Sequence, residues 1–208
     1  MDYEILYAFV LATVVLASSP GPDNLYVLTQ SIVNGKKYGL ATVAGLISGC
    51  IIHTTLLAFG ISAIIKESEQ LFFGIKLFGA GYLFYLTYQV FKSDVALSLS
   101  EDGAPKKRLT SLFKQGFIMN VLNPKVTIFF LAFFPGFLFS DSLNTIIQFY
   151  VLGLIFMVVS AIIFCGIAIL SGSISKYITK NKNIGVSLKW VQIAVFIGIA
   201  VYLLLSDK

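Results

Sequence analysis

Asp23 and Lys125 stand out because each of these charged residues lies inside an apolar stretch of the chain. Asp23 follows Pro20-Gly21-Pro22 in a run that extends from Ile5 to Thr29, and Lys125 follows Asn123-Pro124. An acid at the centre of a bilayer costs roughly 2.5–3.5 kcal/mol and therefore needs a partner or a water-filled cavity. Asp23 and Lys125 could pair with each other, or they could hold the ammonium and carboxylate of a zwitterion.

Both charges come just after prolines that would interrupt one helix and begin another. Proline lacks an N–H and suits the first helical turn, so Pro22-Asp23-Asn24 and Asn123-Pro124-Lys125 each predict the start of a half-helix. Free N–H groups and a positive dipole end at such a start attract an anionic group. The alternative is that the prolines only kink two helices, with Ser18, Ser19 or Asn120 satisfying the freed backbone.

Two breaks of the same kind favour a binding site over a simple kink. The predicted substrate-binding residues are Pro20, Gly21, Pro22, Asp23, Asn24, Asn120, Asn123, Pro124 and Lys125.

Asp23 and His53 are the candidates for proton coupling. His53 is the single histidine, and histidine titrates near neutral pH. An isolated histidine in a helix more often hydrogen-bonds a neighbour, and that interpretation is favoured here. For Asp23 a charge-pair or substrate role is favoured over a proton relay, because a nearby lysine would hold the carboxylate ionised.

Cys50 and Cys165 raise the alternative of an intramembrane thiol-disulfide electron carrier. That chemistry needs an activated thiolate, and no basic residue stands beside either cysteine, so two inert packing cysteines are favoured. A metal-ion exporter is a second alternative, although the sequence has no His/Cys/Asp cluster with metal-ligand spacing. No P-loop is present, and no cofactor is expected.

The composition predicts a membrane protein. Of 208 residues, 57% are hydrophobic and 12% are charged, with a net charge of +5. Soluble domains are about half apolar and about a quarter charged. The lysines lie in short loops between apolar runs, which is not a nucleic-acid-binding pattern.

Six stretches meet or approach the roughly 20 residues that a span needs. They are Ile5–Val33 and Leu112–Phe139, both interrupted, and Leu40–Ile65, Leu71–Phe91, Ile146–Leu170 and Leu188–Leu205.

The loop charges predict the topology. Basic residues concentrate in the first, third and fifth loops, which the positive-inside rule places in the cytoplasm, so both termini are expected outside. A polar link at 92–111 separates three spans in residues 1–91 from three in residues 112–208. Because three is odd, the second set must enter the membrane in the opposite sense. The predicted fold is an all-α polytopic membrane protein, a single transporter domain of two inverted three-helix repeats with broken first helices.

Several motifs resemble the LysE/RhtB family of bacterial amino-acid exporters. They are Pro20-Gly21-Pro22-Asp23-Asn24, then Gly35, Gly39 and Gly45-Leu46-Ile47-Ser48-Gly49, and later Gly116-Phe117 and Asn123-Pro124-Lys125. The resemblance spans nearly the whole chain. It implies export of an amino acid or close derivative across the bacterial cytoplasmic membrane, driven by the proton gradient, with both proline motifs near the substrate path. The expected partners are a small zwitterion, protons and lipid, with homo-oligomerisation left open, and the expected protein is a carrier and not an enzyme.

Overall fold

The structure, a computed structural model, describes residues 2–19, 21–63, 69–92, 107–174 and 183–205. Helices make up the regular structure in these ranges. They are α1 (Tyr3–Ser18), α2 (Pro22–Asn34), α3 (Lys36–Leu56, continued by a π-helical turn at Leu57–Ile61), α4 (Glu69–Lys92), α5 (Leu109–Val121), α6 (Pro124–Phe133, continued by a 3₁₀ turn at Phe134–Phe137), α7 (Thr145–Ile169) and α8 (Asn183–Leu205).

Both predicted helix breaks are present. α2 begins at Pro22 and α6 begins at Pro124, as expected for residues that suit a first helical turn. The axes of α1 and α2 differ by 57°. At the other end of α2, Gly35 has φ of 97°, a left-handed conformation that favours glycine, and it turns the chain directly into α3.

The outer surface of the helices is apolar. Within the described residues, Lys36–Ile61 and Thr145–Ile169 are long and apolar enough to cross a bilayer, and the bent pair α1–α2 adds a third candidate. Large side chains such as Leu11, Ile51 and Ile162 are exposed, while Asp23 and other polar groups are buried. This distribution fits a membrane protein. The arrangement as six spans in two inverted repeats stays a prediction.

α3 lies at the centre of the helix packing and is closest to α5. A Cβ at Gly45 would collide with the backbone carbonyl of Phe113, and a Cβ at Gly116 would collide with that of Thr42. A Cβ at Gly49 would lie 2.6 Å from Oδ1 of Asn120. The Gly45/Gly49 pair therefore lets α5 approach α3 closely, which is the usual use of paired small residues in membrane helices.

Within the described residues, two apolar clusters form the core. The larger cluster contains an aromatic group in which the rings of Phe130 and Phe134 stack with centroids 4.2 Å apart, and Phe9 packs edge-on against Phe134. The smaller cluster contains Val27, Val43, Leu46, Phe164 and Ala168.

The buried Gln148 holds the segment that connects α6 to α7. Its Oε1 accepts the N–H groups of Phe139 and Ser140 at 2.8 and 3.0 Å. Its Nε2 donates to the carbonyls of Ser140 and Leu143 at 2.7 and 2.9 Å. One side chain thus satisfies four backbone groups that lie between the helices and have no helical hydrogen-bond partner.

Candidate functional site

The two helix breaks meet inside the protein. Nδ2 of Asn123, just before α6, donates a hydrogen bond to Oδ2 of Asp23, in the first turn of α2, over 3.1 Å. Asp23 is only 9% exposed. This hydrogen bond therefore links the two predicted halves of the chain at a buried carboxylate.

A cavity of about 60 Å³ lies at this junction, and α1, α2, α3, α5, α6 and α7 all contribute to its wall. A single buried water needs a cavity of about 10–15 Å³, so this cavity has room for several waters or for a small group of a solute. Its polar side comprises Ser19, Asp23, Asn24, Asn120, Asn123 and Ser160. Phe129, Phe156 and Phe164 line it on the apolar side.

Six of the predicted substrate-binding residues line this cavity. They are Gly21, Pro22, Asp23, Asn24, Asn120 and Asn123. Pro124 is the first residue of α6, immediately after Asn123, and it is exposed. Pro20 and the side chain of Lys125 lie outside the described residues, so the predicted pairing of Asp23 with Lys125 stays a prediction.

Asn24 and Ser19 satisfy the backbone freed by the first break. Nδ2 of Asn24 donates to the carbonyls of Ala17 and Ser19 at 2.9 and 3.1 Å. Oγ of Ser19 donates to the carbonyl of Val15 at 2.8 Å. Ser19 is one of the residues predicted to satisfy the backbone at the break, and it does so here. Asn24 was predicted only as a substrate ligand. The amide nitrogen of Asn24 stabilises the break, and its role toward a substrate stays a prediction.

Asn120 and Ser160 line the cavity, and each has one buried polar atom without a hydrogen-bond partner among the described residues. The atoms are Oδ1 of Asn120 and Oγ of Ser160. The two residues are 4% and 2% exposed. Asn120 was predicted from the sequence, whereas Ser160 was missed. Its signal is that Ser160 is the one polar side chain between Tyr150 and Cys165 in the apolar sequence of α7.

His53 is buried beside the second break but does not line the cavity. Its Nε2 lies 3.1 Å from the backbone carbonyl of Asn120, in the last turn of α5, where carbonyls lack partners within the helix. Because a carbonyl only accepts, Nε2 carries the hydrogen. The hydrogen bond expected of a lone histidine is therefore present, and a proton-coupling role for His53 stays a prediction.

The two cysteines pack in different apolar clusters. Both thiols are free. Cys50 belongs to the larger apolar cluster, and Cys165 packs against the smaller one. Among the described residues, no group of three or more His, Cys, Asp or Glu side chains is placed to hold a metal ion.

The family described as LysE type translocator matches residues 14–207 of this chain. The chain belongs to this family. It is similar to the homoserine/homoserine lactone efflux proteins of Salmonella typhimurium and Salmonella typhi, with 31% identity over 183 residues, 88% of each chain. It is also 27% identical over 198 residues, 95% of each chain, to an uncharacterized membrane protein of Vibrio cholerae. No solved structure matches it.

Membership of the LysE family agrees with the resemblance stated from the sequence motifs. The chain is thus a multi-pass membrane translocator and not an enzyme, as predicted. The family and its efflux relatives support export of an amino-acid-type solute.

Proposed function

We propose that this LysE family member exports a small zwitterionic amino acid, or a close derivative, across the bacterial cytoplasmic membrane in exchange for protons. The observation that carries the proposal is the contact between Asn123 and the buried Asp23 at the cavity where two broken helices begin. Irregular backbone and an ionisable group deep in a membrane protein mark solute pathways. The efflux relatives are named for a small amino acid and its lactone, which fits a cavity of this kind.

A zwitterion matches the charges at the junction. In the proposed binding mode its ammonium group lies against the Asp23 carboxylate. Its carboxylate is stabilised by the positive dipole ends where α2 and α6 begin. The predicted role of Lys125 as a partner of the solute carboxylate belongs to the same proposal.

Proton coupling follows if Asp23 binds either a proton or the ammonium group, but not both. Competition of the two ligands for one carboxylate converts an inward proton gradient into outward solute movement. Asp23 faces the cavity whereas His53 does not, so Asp23 is the stronger of the two coupling candidates.

The packing supports alternating access around this cavity. Phe129 and Phe156 belong to the larger apolar cluster and Phe164 to the smaller one, so the cavity wall is shared by both clusters. The helices also exchange partners between the predicted halves: α3 packs on α5, α7 packs on α1, and α4 packs on α8. Two inverted halves, with both termini outside and the boundary at 92–111, would pack in this reciprocal way.

Transport into everted membrane vesicles tests the proposal. Vesicles acidified inside by respiration are given a panel of radiolabelled amino acids that includes homoserine, and a divalent metal ion as a separate arm. We expect at least one small amino acid to be taken up by vesicles that contain the protein and not by vesicles without it. A protonophore should abolish this uptake. Uptake of the metal ion alone would overturn the proposal.

A further inference from the structure

We propose that a cluster of phenylalanines forms a gate between the cavity and the outer face of the membrane, and that the gate is closed in this structure. The inference rests on the proposed function and adds to it the residues that keep the cavity from opening to both sides at once. The rings come from α1, from α6 with its 3₁₀ turn, and from α7. The phenylalanine cluster comprises Phe9, Phe129, Phe130, Phe133, Phe134, Phe137 and Phe156.

Ring contacts continue from the cavity wall to the end of the 3₁₀ turn. Phe129 lines the cavity and stacks on Phe133, with ring centroids 4.4 Å apart. Phe133 in turn contacts Phe137 at 4.2 Å. Phe9 of α1 lies against Phe133 and Phe137 at 5.6 and 5.4 Å. No side chain of the cluster is more than 6% exposed, so the rings fill this part of the protein.

The direction of the helices places the cluster on one side of the cavity. Phe9 lies nine residues before the end of α1 at the first break, and Phe133 lies nine residues after the start of α6 at the second. Nine helical residues rise about 14 Å, which is close to half of the ~30 Å apolar thickness of a bilayer. Beyond the cluster, the N–H of Asp2 donates to the carbonyl of Phe139 at 2.9 Å. This end of the protein carries the N-terminus, which the loop charges predict to lie outside.

A closed cluster of this kind blocks both the solute and protons. A zwitterion that entered it would exchange its hydrogen bonds to water for contacts with phenyl rings, which is costly for charged groups. Exchange of a solute for protons requires such a block, because a cavity open to both sides would dissipate the proton gradient. The cluster must therefore part during export.

α6 is the element that can part the cluster. α6 and its 3₁₀ turn contribute five of the seven rings. This helix has only ten residues, with the second break at its start and the 3₁₀ turn, which contains Pro135 and Gly136, at its end. A 3₁₀ stretch that continues a helix often marks a hinge. The hydrogen bond from Asn123 to Asp23 attaches the start of α6 to the proposed ligand of proton and solute, so a change at that carboxylate can move the gate.

Thiol labelling from each side of the membrane tests the gate. The reporter is Val126→Cys at the cavity wall, in a full chain without its two native cysteines. A sulfonated maleimide that does not cross membranes is applied to right-side-out and to everted vesicles, and N-ethylmaleimide measures the total reactive thiol. In right-side-out vesicles Phe133→Ala should raise the initial labelling rate about ten-fold or more, because truncation of a buried ring weakens the closed packing. The rate in everted vesicles should not change.

Phe78→Ala is the matched control, because Phe78 on α4 is 65% exposed and lies outside the cluster. Equal labelling with Phe133→Ala and Phe78→Ala, or an increase confined to everted vesicles, would overturn the gate and leave the transport function standing. If Phe133→Ala exposes the reporter but no amino acid is transported by the wild-type chain, the gate stands and the proposed solute is wrong. Should Phe133→Ala not reach the membrane, Phe9→Leu replaces it, with the same increase expected and the same results overturning the gate.

Discussion

Asn123 and Asp23 are 100 residues apart in the chain, yet the amide of one donates to the carboxylate of the other over 3.1 Å. This bond joins the starts of α2 and α6, and it places an ionisable group at the cavity between them. The proposed transport cycle depends on that arrangement, so exchanging the two side chains is an informative perturbation.

Exchanging the two residues should restore part of what the single changes remove. Asn123→Asp alone places two carboxylates together, and like charges at hydrogen-bonding distance repel. We expect it to lower the initial rate of proton-driven uptake at least ten-fold. The double variant Asp23→Asn with Asn123→Asp again has one amide and one carboxylate, and its rate should exceed that of either single variant. Equal rates for the double variant and the poorer single variant would show that the hydrogen bond between positions 23 and 123 does not determine transport.

A methyl group at Gly116 should destabilise the contact between α3 and α5. A Cβ there collides with the backbone carbonyl of Thr42, which cannot rotate away. Overpacking of this kind costs about 1–3 kcal/mol. Gly116→Ala should therefore lower the melting temperature in detergent by several degrees. Gly166→Ala is the control, because a Cβ there has no neighbour within 4 Å, and an equal effect of both variants would contradict the packing argument.

Loss of Gln148 should loosen the segment between α6 and α7. In Gln148→Ala the N–H groups of Phe139 and Ser140 lose their acceptor, and each unsatisfied buried donor costs about 1–3 kcal/mol. We expect faster proteolytic cleavage near residues 138–144, measured by mass spectrometry of the fragments. The exposed Gln89, changed to alanine, should leave the cleavage rate unchanged. A cleavage rate for Gln148→Ala equal to that of the wild type would contradict the proposed role of Gln148 in holding this segment.

His53 should matter as a hydrogen-bond donor and not as a proton carrier. Gln can donate from a similar position to the carbonyl of Asn120 but cannot titrate. His53→Gln should therefore keep most of the transport and its dependence on the proton gradient, while His53→Leu should lower the amount of folded protein. Transport by His53→Gln that no longer responds to the gradient would instead make His53 the coupling residue.

Much of the fold could be predicted from the sequence because the decisive signals are local. Proline cannot occupy a helix interior without loss of a hydrogen bond, so Pro22 and Pro124 mark where α2 and α6 begin. Apolar length gave the remaining helices within a few residues. The prediction that the breaks share a pocket needed only their matched positions in the two sets of spans.

The rest of the cavity wall could not be predicted in the same way. α7 is apolar all round, so periodicity does not reveal which face Phe156, Ser160 and Phe164 share with the cavity. The function of Asn24 in binding the α1 carbonyls also depends on the bend angle between α1 and α2, which no local pattern specifies.

The most direct test of the central claim measures whether the transported solute occupies the cavity between the two breaks. Val126, at the cavity wall, is changed to cysteine in a chain whose Cys50 and Cys165 have been replaced by alanine. Alkylation by a small maleimide is followed with increasing solute, with Ser48→Cys in the same background as the control. We predict that the solute slows alkylation of Val126→Cys several-fold, in proportion to its saturation of transport, and leaves Ser48→Cys unchanged. Alkylation of Val126→Cys that is insensitive to a solute the same protein transports would contradict a binding site at this cavity.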